Sequence, residues 1–286
     1  MTRISFEFFP PQTLDASFRL FETVQALAPL EPSYVSVTYG AGGTTRKLTH
    51  EAVATISRHY GLNVAAHLTC VDASRAETLE IAESYAALGV TEIVALRGDP
   101  PKGATGFVPH PDGFKDTAEL VAALAATGKF KIHVGAYPEP HPEAGHLKAD
   151  IQWLRRKVEA GASSAITQFF FEADTFLRFR DACVRDGIAV PITPGILPIQ
   201  NWEGAKRFAQ RCGAFVPPRL EESFHHAIRD GREDLLALTH CTTLCDRLIH
   251  EGVEELHFYT LNRPHLTREV VRILGLAPEF ALEKVA

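Results

Sequence analysis

The chain has 286 residues, 45% of them hydrophobic and 22% charged, with a formal net charge of -6. This apolar content over this length can bury a sizeable core, as one large α/β barrel or two small domains. The acidic balance and the lack of a long basic run argue against a nucleic-acid partner, and no apolar run reaches the ~18 residues that span a membrane.

The first predicted element is a strand over "ISFEFF", residues 4–9. Side chains alternate along a strand, so Ile4, Phe6 and Phe8 share one face and Ser5, Glu7 and Phe9 the other. Glu7 and the Pro10-Pro11 pair interrupt any signal-peptide core, and a cytoplasmic location is expected. Seven further β-rich runs follow: "YVSVTYG" from Tyr34, "NVAAHLT" from Asn63, "EIVALRG" from Glu92, "KIHVGAY" from Lys131, "SAITQFF" from Ser164, "PITPGIL" from Pro191 and "ELHFYTL" from Glu255. Each is short and bounded by turn residues.

Helix-like stretches lie between them. Residues 73–89 carry a capping box, Ser74 with Glu77 three residues on, and stop at Gly89. Residues 148–161 end at Gly161, and a stretch holding Leu177, Ala182 and Val184 ends at Gly187. This βα rhythm predicts parallel strands with crossover helices. Eight units predict an α/β fold of the (βα)8 TIM-barrel type, with extra helices over residues 201–250 between strands seven and eight. The whole of residues 1–286 is read as one catalytic domain. A doubly wound sheet would place a Gly-rich turn after the first strand, where this chain has "FFPPQT". "GAGG" at 40–43 lacks the third glycine of a dinucleotide fingerprint, and no Walker A, GxSxG or HExxH motif is present.

The five cysteines are scattered and odd in number, which suits reduced thiols. Cys241 and Cys245 lie four apart near His240 and His250, but no CxxC pair supports zinc, and no metal is expected.

In a barrel the chemistry sits at the C-terminal ends of the strands. Glu7 therefore points inward near the top, where burial among aromatic groups raises a carboxyl pKa and suits it to general-acid work. The alternative is a glutamate satisfied by an arginine inside the barrel. The other strand ends are polar too: Thr38 and Tyr39, His67 and Thr69, Arg97 with Gly98 and Asp99, Tyr137 and His141, Gln168, Asn262 and Arg263. Buried polar groups destabilise unless paired, so six polar ends in register require a ligand or one another. "LRRK", residues 154–157, either supplies cations to a phosphate or forms a solvated helix face.

"SFEFFPP", "VSVTYGAGG", "HLTC", "ALRGDPP", "AYPEPHPEA", "ITQFFF", "PGILP" and "HFYTLNR" occur in that order from Phe6 to Arg263. Together they resemble the bacterial methylenetetrahydrofolate reductases. The resemblance implies a (βα)8 barrel that binds FAD noncovalently and reduces 5,10-methylenetetrahydrofolate to 5-methyltetrahydrofolate with NADH or NADPH. It implies that Glu7 is the general acid and that Asp99 acts beside the flavin and contacts the pterin. Thr38, Tyr39, Ala41, His67, Arg97, Gly98, Tyr137, His141, Ala144, Asp150, Arg156 and Lys157 match flavin-site positions. Gln168, Phe208 and Arg263 match folate or nicotinamide contacts. The expected partners are the folate and the nicotinamide dinucleotide, in a homo-oligomer, with no nucleic acid or membrane.

The chain departs from the family pattern at three places. Asp116 and Thr117 stand where tyrosine and alanine are frequent, Trp153 where asparagine is frequent near the FAD, and Gly204 where a folate-contacting glutamine can occur. The chain also ends soon after strand eight, so control by the regulatory domain of the eukaryotic enzymes is not expected. Three other functions stay open on the residues: flavin-free hydride transfer from NADH to the folate, a flavin barrel similar to proline dehydrogenase, and a lyase using Glu7 and Asp99.

Overall fold

The computed structural model describes residues 2–39, 46–99 and 106–278. Ala41 lies outside the described residues. The strands are β1 (Arg3–Phe8), β2 (Tyr34–Val37), β3 (Val64–Thr69), β4 (Glu92–Leu96), β5 (Lys131–Ala136), β6 (Ser164–Thr167), β7 (Ile192–Thr193), β8 (Gly195–Ile196) and β9 (Glu255–Tyr259). They form one sheet in the order β7-β6-β5-β4-β3-β2-β1-β9-β8. Every described pairing is parallel. The fold is the expected α/β TIM barrel.

The predicted seventh strand is broken rather than continuous. Pro194 has no N–H to give a ladder, so "PITPGIL" splits into β7, which pairs with β6, and β8, which pairs with β9. These two halves bring the ends of the sheet together. Gly195 is obligatory at the break, because a Cβ there would collide with the Thr167 carbonyl and the Tyr259 ring. The second predicted strand stops at Val37, and Arg97 and Gln168 follow β4 and β6 rather than lying in them.

The capping box forms as read. Helix α3 (Arg75–Ala87) starts where Glu77 N donates to Ser74 Oγ at 3.2 Å and Ser74 N donates to the Glu77 carboxylate at 2.8 Å. The helices α7 (Trp202–Cys212), α8 (Pro218–Arg229) and α9 (Glu233–His250) fill the interval between β8 and β9, where the repeat needs only one helix. Cys241 and Cys245 are buried on α9 as free thiols.

Alternation builds two layers. Ile4, Phe6, Phe8, Val35, Val37, Ala66, Leu68 and Phe258 face the helices in one continuous apolar core. The lumen faces carry Ser5, Glu7, Tyr34, His67, Glu92, His133 and His257. Its apolar filling is a small cluster of Tyr34, Ala65, Val94 and Ile166. Several polar groups at the floor pair with one another, while His257 Nε2 has no hydrogen-bond partner among the described residues. Asn63 donates to Glu92 at 2.6 Å, His133 Nε2 lies 2.6 Å from the other Glu92 oxygen, and His133 Nδ1 lies 2.6 Å from Ser164 Oγ. Ser5 Oγ lies 2.9 Å from His257 Nδ1. Fixed pairs of this kind offset the cost of burying polar groups in the lumen.

Candidate active site

Glu7 is the penultimate residue of β1, in register with Ser36 on β2 and Tyr259 on β9. Its side chain keeps 14% exposure at the mouth end of the strand and is not part of the cavity wall described below. Desolvation raises its pKa to about 8. Among the described residues no arginine pairs with it. Its neighbour is His67 on β3, with Nε2 3.4 Å from the carboxylate. That distance is long for a hydrogen bond, and His67 Nε2 is buried without a hydrogen-bond partner among the described residues. Burial lowers the His67 pKa to about 3. At neutral pH this is a neutral imidazole beside a largely protonated acid, not an ion pair.

A cavity of about 520 Å³ opens beside Glu7's end of the barrel, over the ends of β3, β4 and β5. Tyr39, Arg97, Gly98, Asp99, Tyr137, His141, Ala144, Asp150 and Lys157 line it, so the cavity brings together nine of the positions that the resemblance implies for the flavin. Gly98 takes φ +88°, and a Cβ there would press on Val71 and Thr69, so only glycine lets the backbone form this wall. Asp99 is exposed at the rim. His141 is fixed three times: its N–H donates to Asp150 Oδ2 at 3.0 Å, its Nδ1 accepts from Glu143 N at 3.2 Å, and Tyr137 meets its ring edge-on at 4.7 Å. Desolvation raises the Tyr137 pKa to about 12, so its phenol stays neutral.

Lys157, on helix α5 (Leu147–Glu159), donates to the Gly135 carbonyl. Burial of its ammonium lowers its pKa to about 8, and the charge of Asp150 partly offsets this. Thr69 Oγ1, another wall atom, is buried without a hydrogen-bond partner among the described residues. Thr38 and His67 lie outside the cavity wall, with Thr38 half-buried. Arg156 also stands aside from the wall. It pairs with Asp116 at 3.2 Å and lies over the Trp153 ring at 4.2 Å.

The predicted substrate residues lie on the other arc of the mouth. Gln168 follows β6 and accepts from Phe169 N at 3.0 Å. Phe208, on α7, is half-buried against Phe169 with ring centroids 5.0 Å apart. Arg263 is exposed at the start of helix α10 (Pro264–Ile273). The loop before it holds Leu261 and Asn262 at φ 51° and 53°, an arrangement rare outside glycine. This lets the Asn262 amide accept from Phe9 N and donate to Phe9 O, both at 2.9 Å, tying the β9 loop to the β1 loop.

Sequence reasoning missed several wall residues. Glu143 holds Arg97 with two contacts of 2.6 and 3.1 Å, and Arg97 lies over Phe107 at 5.0 Å. The signal was present, since a cation at a buried strand end needs a counter-charge. Asp116 and Trp153, noted only as departures, are both in the wall.

The family model for methylenetetrahydrofolate reductase matches residues 1–275. The chain is 43% identical to a 5,10-methylenetetrahydrofolate reductase of Pectobacterium carotovorum, over 97% of this chain and 92% of that one. It is 42% identical to the Escherichia coli protein of the same name, over 96% and 91%. An Arabidopsis thaliana methylenetetrahydrofolate reductase (NADH) is 35% identical over 99% of this chain and 50% of its own length. Among solved structures, a Clostridium thermocellum protein described as binding two copies of 5-methyl-5,6,7,8-tetrahydrofolic acid aligns with TM-score 0.62 at 12% identity, over 95% and 93% of the two chains. A Stenotrophomonas maltophilia dihydropteroate synthase aligns with TM-score 0.53 at 12% identity, over 100% and 94%. These two structures speak to fold alone.

Proposed function

The chain belongs to the methylenetetrahydrofolate reductase family, a family of oxidoreductases, and from that premise we propose that it reduces 5,10-methylenetetrahydrofolate to 5-methyltetrahydrofolate with NADH or NADPH, through noncovalent FAD and with Glu7 as general acid. The observation that carries this reading is the state of Glu7: at the mouth end of β1, 14% exposed, with no arginine or lysine paired to it among the described residues, and raised to about 8. A carboxyl poised close to the working pH is suited to deliver a proton.

The residues present fit a flavin dinucleotide. The cavity volume lies within the ~300–1,000 Å³ of ordinary ligand sites. Thr69 offers a buried hydroxyl with no hydrogen-bond partner among the described residues, Lys157 a part-desolvated cation, and Gly98 a backbone with no side chain in the way. Tyr137 and His141 would form the ring wall, and Lys157 would face the phosphates. When bound there, FAD would supply a hydride store between nicotinamide and folate.

The remaining steps belong to this chain. Glu7 would hand its proton to N10 of the folate, opening the five-membered ring and leaving a cationic iminium at N5. Neutral His67 leaves that proton on Glu7, because an imidazole with a pKa near 3 cannot take it. Asp99 at the rim would favour the cation by its negative field. Gln168, Phe208 and Arg263 would hold the folate on the opposite arc, with Phe208 as a stacking surface and Arg263 facing a carboxylate.

The test is an absorbance spectrum of the purified protein, followed under anaerobic conditions by NADH and then methylenetetrahydrofolate. A flavin band that bleaches with NADH and returns with the folate is expected. No flavin band, even with added FAD, overturns the flavin step and leaves direct hydride transfer from NADH to the folate.

A further inference from the structure

Three carboxylates stand against the cations of the cavity. Arg97 is held by two contacts to Glu143, and Lys157 feels Asp150 across the wall. Arg156 is held more weakly, by a single 3.2 Å contact to Asp116, with the guanidinium side chain 52% exposed. The wall therefore carries Arg97, Lys115 and Lys157 against Asp99, Asp116, Glu143 and Asp150. That is an acid-rich lining for a site that takes a pyrophosphate.

Asp116 divides its two oxygens between two tasks. Oδ1 accepts from Glu119 N at 3.0 Å and caps helix α4 (Thr117–Ala126), while Oδ2 pairs with Arg156. Trp153 supports the same guanidinium from its face, and Trp153 and Asp116 are both wall residues. The cap fixes the carboxylate, and the stack fixes the cation against it. Arg156 stands outside the wall itself, but both of its partners line it, and its single contact to a carboxylate is the weaker of the two arginine–carboxylate pairings here.

We propose that Asp116 is a built-in competitor for the phosphate of the bound dinucleotide: it holds Arg156 until a pyrophosphate takes its place, and so weakens binding and speeds release of the flavin. This rests on the flavin reading of the cavity. The exchange trades one ion pair for another, and the displaced Asp116 carboxylate, pinned by its cap, then faces the phosphate with like charge. Removing that charge while keeping the cap strengthens binding.

The experiment titrates FAD into the full chain, read by quenching of flavin fluorescence, for the wild type and for Asp116→Asn. Asparagine keeps the capping oxygen. The expected result is binding ~two- to fivefold tighter, the size of a partly exposed ion pair. FAD release should slow by a similar factor, and binding should become more sensitive to salt. Asp116→Ser, which also caps, should change affinity with the same sign. Arg156→Gln should weaken binding and shrink the gain from Asp116→Asn to the part that relief of like charge alone supplies. Unchanged or weaker binding in Asp116→Asn overturns the proposal, because a residue that orients Arg156 for the ligand gives the opposite sign. Failure of the wild type itself to bind FAD overturns the flavin reading and the proposal with it, and is seen before any variant is made.

Discussion

The lumen contains two glutamate–histidine pairs at opposite ends, and they behave in opposite ways. At the floor, Glu92 meets His133 at 2.6 Å, accepts from Asn63 at 2.6 Å and has Lys131 at 3.4 Å. Burial alone would raise its pKa. Hydrogen bonds from His133 and Asn63 outweigh that and bring it down to about 2. At the mouth, Glu7 has His67 at 3.4 Å without a hydrogen bond, and desolvation raises its pKa to about 8. The same residue types in the same barrel become a fixed anion or a proton donor. What differs is the number of donors that reach the carboxylate.

The sharpest way to break this comparison is Glu7→Gln. Folate-dependent reoxidation should fall ~10²- to 10⁴-fold, the worth of a positioned general acid, while flavin reduction by NADH is kept. Stopped-flow measurement of the two half-reactions checks this, and an equal fall in both would make Glu7 structural. At the floor, Glu92→Ala should leave both half-reactions of the folded protein unchanged and cost about 2–4 kcal/mol of stability, because His133 and Asn63 lose their acceptor. Denaturant midpoints test it.

Opposite shifts give opposite pH dependence. The Glu7 pKa is raised on folding, so the native state holds more protons than the unfolded chain between its ordinary value of 4.5 and about 8. Its contribution to stability is full below 4.5 and is lost as pH rises toward 8. The Glu92 pKa is depressed, so its contribution is present above 4.5 and is lost as pH falls toward 2. Stability–pH curves of Glu7→Gln and Glu92→Gln should therefore flatten in different windows, the first above pH 4.5 and the second below it. The folate half-reaction of the wild type should decline as pH passes about 8. The smallest effect is expected from Lys131→Met. Its side chain is 53% exposed, with the ammonium 3.4 Å from Glu92, so the loss should be under ~1 kcal/mol. A loss as large as that of Glu92→Ala would mean that charge, not hydrogen bonding, holds the floor.

Much was legible in the chain itself. The alternation of Ile4, Phe6 and Phe8 with Ser5 and Glu7 fixes which face is core, because side chains on a strand repeat every two residues. Ser74 and Glu77 fix the start of α3, because capping is local. Ordered polar strand ends locate the mouth, because a parallel barrel puts all those ends on one side. The break at Pro194 was missed because a run of β-formers masks one missing donor until the neighbouring strands are known. Only the tertiary structure decided which carboxylates are paired. Glu143 on Arg97, Asp116 on Arg156 and His133 on Glu92 join residues 46, 40 and 41 positions apart. Ionisation and binding depend on such distances, which local sequence does not contain. Local rules therefore determined the elements and the end of the barrel that carries the site, and packing across the barrel decided which acid keeps its proton.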